Sequence, residues 1–167
     1  MNAWHSVKQQ QGVGLVEVMV ALLLLGIAVI GFAALQVRAV SSTHDALYRT
    51  QGMAVAQEMV ERIRANPREL ATYAAGSAGS ATTTTCISAA CSTTTMAQFD
   101  IAAVRSLAAS SLPNGQLGLV TCPGAANLCV LVSWNTTTPT VGSAAPACLS
   151  TTGSYIQNAE CMMMESY

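Results

Sequence analysis

From Val13 to Leu35 the chain runs VGLVEVMVALLLLGIAVIGFAAL, 23 residues with a single formal charge, Glu17. A helix of that length rises about 35 Å, enough to cross a bilayer core of about 30 Å. The apolar core of a cleaved secretory signal is only about 7 to 15 residues, so this run reads as a lasting membrane anchor. Lys8 precedes the run and all six cysteines follow it, which predicts a cytoplasmic N-terminus and an outer, oxidising side for the remainder. Glu17 is the anomaly. A carboxylate in hydrocarbon is expensive and marks a functional group.

Helical patterning continues beyond Leu35. Leu47, Gln51, Val55, Met59 and Ile63 recur at i+4, and Arg49, Glu58, Glu61, Arg62 and Arg64 fall mostly off that stripe. Asn66-Pro67 marks the stop, because proline disfavours helical geometry at the residue before it. Val13 to Ala65 would extend about 80 Å if continuous, and such a helix needs a surface to lie against. Gly52 reads as a soft point in it, at about 1 kcal/mol relative to alanine.

The rest reads as a small crosslinked head. Residues 71–95 are rich in Ala, Ser, Thr and Gly and are expected to form a loop. DIAAVRSLAASSL (100–112) reads as a short helix with Asp100 as N-cap or first-turn acid, closed by Pro113-Asn114-Gly115. QLGLVTC and LCVLVSWN, separated by PGAAN, give a hairpin, and TTTPTVGSAAPA reads as loop. Residues 147–167 supply one more strand or a crosslinked tail. CMMMES reads as core filler more readily than as an adaptable contact surface. Cys86, Cys91, Cys122, Cys129, Cys148 and Cys161 are disulfide candidates; six cysteines allow 15 pairings, and proximity favours 86 with 91, 122 with 129 and 148 with 161. The expected fold class is α+β: a long N-terminal helix packed against a small antiparallel sheet in a disulfide-stapled head.

Several activities are disfavoured. Only 9% of residues are charged, against roughly 25% in soluble domains, and beyond Glu69 only Asp100, Arg105, Glu160 and Glu165 carry charge. With a net charge of -1 and no basic run, nucleic acid is not an expected partner. The histidines are His5 and His44, so the head cannot assemble a nucleophile–histidine set from its own residues. Cysteine spacings and the lack of nearby histidines do not suit a metal site. No catalytic residues, cofactor or metal are expected.

Gly12 followed by VGLVE and a long apolar helix resembles the type IV prepilins. The resemblance implies cleavage by a prepilin peptidase after Gly12, N-methylation of Val13, and Glu17 as fifth mature residue and assembly contact. It divides the chain into a leader (1–12), a transmembrane half-helix (13–35), an amphipathic half-helix (36–66) and a head (67–167). Val13 and Gly14 stand where the family more often has Phe and Thr or Ser, and the span lacks the proline common in major pilins. VEVMVALLLLGIAVIGFAALQ, AQEMVERIRANP, FDIAAVRSLAASSLPNG and CVLVSWN look like the minor pilins of the PilV group. Such proteins are structural subunits that prime or cap assembly at the pilus tip. The implied partners are other minor and major pilins, a tip adhesin, the prepilin peptidase and, before assembly, the inner membrane, with the head in the periplasm. A minor pseudopilin of a type II secretion system, or a pilin whose head binds DNA or an adhesive ligand, remain alternative readings.

Overall fold

A computed structural model of the chain describes residues 12–76, 86–87 and 90–166. The expected leader, up to Gln11, and residues 77–85 and 88–89 of the expected loop therefore lie outside the described residues. The chain divides into two units, with the boundary between His44 and Asp45.

The first unit is the opening part of helix α1 (Leu15–Ala65), where no residue from Gly12 to His44 is buried. This stretch gives the one helix among the described residues long and apolar enough to cross a membrane, with a mean hydropathy of 2.9 over its best window.

In the second unit, α1 begins to bury side chains. Gly52, Val55, Ala56, Met59, Val60 and Ile63 are buried, at the three- and four-residue spacing of one helical face. Leu47, at the head of the expected stripe, stays exposed. The helix stops at Ala65, as Asn66-Pro67 predicts, and Pro67 opens a single 3-10 turn (Pro67–Glu69) that leads into α2 (Leu70–Ala75).

Two expectations about the next segment are corrected. The loop expected over 71–95 holds α2 and the first turn of α3, and the helix expected from Asp100 starts seven residues earlier as α3 (Thr93–Ser111). The Ser92 hydroxyl accepts from the Thr95 amide at 3.1 Å and serves as the N-cap. The modest helix propensity of TTT is overridden because the extra turns bury Ala97 beside Ile101 and Val104. Asp100 thus lies inside the helix and buried, not at its cap.

β1 (Gln116–Thr121) and β2 (Leu128–Ser133) form the expected antiparallel hairpin, and β5 (Cys161–Glu165) pairs with the other side of β2. Central β2 is buried at every position, which explains the unbroken apolar run LCVLV. Val130, Val132 and Trp134 face the core with Met59 and Ile63 of α1, Tyr73 of α2 and Ile101 of α3. Leu131 faces a second cluster with Leu149, Cys148 and Cys161. The segment expected as loop after Asn135 is instead a short parallel pair, β3 (Thr138–Val141) and β4 (Ala147–Leu149). Gly118 of β1 lets that layer close, because a Cβ there would collide with the Pro139 carbonyl.

Gly52 is also reassigned. A Cβ at this position would lie 3.0 Å from Cζ3 of Trp134 and 3.5 Å from Cγ of Met162. The glycine is the place where the helix backbone approaches the indole, rather than a soft point. Met162 and Met164 pack on the main core and Met163 on the second cluster, which is the filler role. Disulfides join Cys86–Cys91, Cys122–Cys129 and Cys148–Cys161.

Candidate assembly site

Gly12, Val13 and Gly14 precede α1 in exposed, non-helical backbone. The helix is entered through the Gly14 carbonyl, which accepts the Glu17 amide at 3.0 Å and the Val18 amide at 3.3 Å. Glu17 therefore stands in the first turn, where the unpaired amides and the helix dipole favour a carboxylate. Its side chain is exposed, and among the described residues it takes part in no hydrogen bond or ion pair. Leu15, Val16, Met19 and Val20 surround it and are all exposed. One unsatisfied acid is thus displayed on an apolar helix.

Gly26 and Gly31 have open space around them, so neither is required by a contact within the chain. Small residues at such positions allow another helix to come close.

The head contributes rigidity. Buried Asp100 accepts from Nη1 of Arg62 at 2.7 Å and from the Tyr73 hydroxyl at 2.7 Å, so one carboxylate ties α1, α2 and α3 together. Arg62 also pairs with Glu58 at 2.7 Å. Burial opposes the Arg62 charge, but the bonds to Asp100 and Glu58 outweigh it and raise its pKa above the ordinary value. Burial pushes the Tyr73 hydroxyl well above its usual range, and the Asp100 hydrogen bond and charge reinforce that rise. Nearby, Glu69 accepts from Thr72 at 2.7 Å and Thr93 at 2.8 Å, and these bonds hold its carboxyl below the usual value. The Arg62–Asp100 pair spans 38 residues, and the sequence offers no local spacing that would reveal it.

Cys122, Cys129 and Glu165 converge, but the two sulfurs are bonded to each other and offer no thiolate to a metal. Trp134 is 2% exposed and belongs to the core, while Arg105 donates to the Gly76 carbonyl and the Tyr155 hydroxyl accepts the Met163 amide.

Residues 7–33 match the prokaryotic N-terminal methylation motif, which makes the chain prepilin-like in the segment that holds Gly12, Val13 and Glu17. Residues 34–102, directly following, match the family described as type IV pilin Tt1218. That second match covers the remainder of α1, α2 and the first half of α3; residues 103–167, with all five strands, lie outside both. No curated protein and no solved structure matches the chain. A type IV pilin-like chain with a prepilin motif and an apolar N-terminal helix fits membrane anchoring followed by incorporation into a pilus, with other pilins as neighbours.

Proposed function

We propose that this protein is a minor pilin of the PilV type, a structural subunit that primes or caps a type IV pilus at its tip together with other minor pilins. Prepilin peptidase cuts between Gly12 and Val13, and the new terminus is N-methylated. The α-amino group on Val13 is then a cation in an apolar layer. The Glu17 carboxylate of one subunit neutralises the amine of its neighbour, and pairing removes the penalty that each buried charge would carry alone. Before assembly the subunit is held in the inner membrane by α1, with its head in the periplasm.

One observation carries this reading: within the methylation-motif match, an unpaired carboxylate sits in the first turn of an apolar helix whose residues are all exposed as far as His44. The test is Glu17→Ala. The variant is expected to be cleaved and membrane-bound but missing from sheared pili; incorporation at the normal level would overturn the assembly contact. Co-purification of the intact protein with type II secretion subunits, in place of pilins, would overturn the pilus assignment.

A further inference from the structure

A cleft of about 250 Å³ opens in the second unit between α1 and the segment that enters β5. Asp45 and Arg49, one turn apart on α1, form one wall; Asn158, Ala159 and Glu160 form the other, over Trp134. The second wall is built rigidly. The Glu160 amide donates to the Thr137 hydroxyl at 2.9 Å, and its carbonyl accepts the Trp134 amide at 3.0 Å. The Glu160 carboxylate accepts from Asn135 Nδ2 at 2.8 Å, and the next residue, Cys161, is bridged to Cys148. An acid is thus fixed in place with no cationic partner among the described residues.

The opposite wall departs from the rest of its helix. Elsewhere on α1 the acid–arginine couples close, Glu58 with Arg62 at 2.7 Å and Glu61 with Arg64 at 2.9 Å. Asp45 and Arg49 have the favourable acid-first order at i,i+4. Yet among the described residues neither forms a hydrogen bond or ion pair, and both line the cleft.

The cleft therefore presents two carboxylates and one guanidinium, none with an ionic mate among the described residues. We propose that it binds an ammonium or guanidinium group carried beside a carboxylate, the chemistry of a basic amino acid or of an adjacent basic–acidic pair in a peptide. The carboxylates of Asp45 and Glu160 take the cation and Arg49 takes the anion, and the fixed position of Glu160 reduces the ordering cost of binding. This site is independent of the helix contact through Glu17.

The test uses the full chain in detergent micelles with Trp4→Phe, which leaves Trp134 as the reporting fluorophore. Arginine, agmatine (the same cation without the carboxylate) and acetyl-Arg-Glu-amide are titrated. Arginine is expected to give a saturable change with a Kd on the order of 1 mM, a typical weak-ligand value. Arg49→Gln should weaken arginine at least threefold and leave agmatine unchanged. Asp45→Asn and Glu160→Gln should each weaken both about tenfold, with an unchanged near-ultraviolet spectrum showing that the head remains folded. A tighter response to the peptide assigns the source to a protein partner and a tighter response to arginine assigns it to the free amino acid; either upholds the site. The absence of a saturable change, or equal affinities in all three variants and the parent, overturns it.

Discussion

Asp100→Ala offers the sharpest test of how the head is held together. Asp100 is 5% exposed, and its carboxylate accepts two hydrogen bonds of 2.7 Å, from Arg62 and Tyr73. Removing it leaves the fully buried Tyr73 hydroxyl with only a 3.4 Å contact to the Arg62 carbonyl, and a stranded buried donor costs about 1–3 kcal/mol. Arg62 loses a charge-assisted partner, but its side chain is 32% exposed and it keeps Glu58, so its share is discounted to about 1 kcal/mol. The expected loss is about 3 kcal/mol, a large part of the 5–15 kcal/mol typical of a domain. Urea unfolding in nonionic micelles, followed by Trp134 fluorescence in the Trp4→Phe background, measures it. Tyr73→Phe supplies the control: the double variant should lose at least about 1 kcal/mol less than the sum of the single variants, because both remove the same bond. A loss under about 0.5 kcal/mol for Asp100→Ala, or strict additivity, would refute the idea that this carboxylate joins three helices.

The same bond carries a pH signature. Because the Tyr73 hydroxyl is raised in the folded state, its contribution is complete below the ordinary tyrosine value of about 10 and is lost as pH rises through the folded value. Unfolding free energy should fall above about pH 10 by up to about 1.4 kcal/mol per unit, and Tyr73→Phe should remove that decline. At Gly52, leucine should destabilise by about 1–3 kcal/mol through collision with Trp134, whereas alanine should stay within about 1 kcal/mol of the parent; denaturant midpoints that place leucine with the parent would discount the close approach. Gly12→Ala should leave the precursor uncut, and mature-length protein on a gel would disprove cleavage at this bond.

The fold was legible where a single period or punctuation mark dominates. Pro67 ended α1, PGAAN placed the hairpin, and the apolar run at Leu128–Val132 marked a strand. Residues read from composition alone were less clear. The Thr-rich start of α3 looks like loop until Ala97 and Ile101 are seen to be buried against the sheet, and β3 and β4 depend on contacts with each other rather than on their own patterning. Asp100 reads as an N-cap or first-turn acid because the sequence shows an acid near a helix start but not the Arg62 and Tyr73 that reach it from other elements. Propensity alone makes Gly52 a weak point, whereas its meaning lies in the indole beside it. For the candidate assembly site, the peptide around Gly12 and Glu17 is local and stood out at once, whereas the Asp45–Glu160 cleft joins positions far apart in the chain.

The three disulfides join cysteines 5, 7 and 13 residues apart. Along the chain the loops follow one another without nesting or crossing, so each second cysteine finds its mate already the nearest unpaired thiol behind it. A polypeptide oxidised in order of emergence from a translocation channel reaches this connectivity by simple succession, without any need to reshuffle mispaired intermediates.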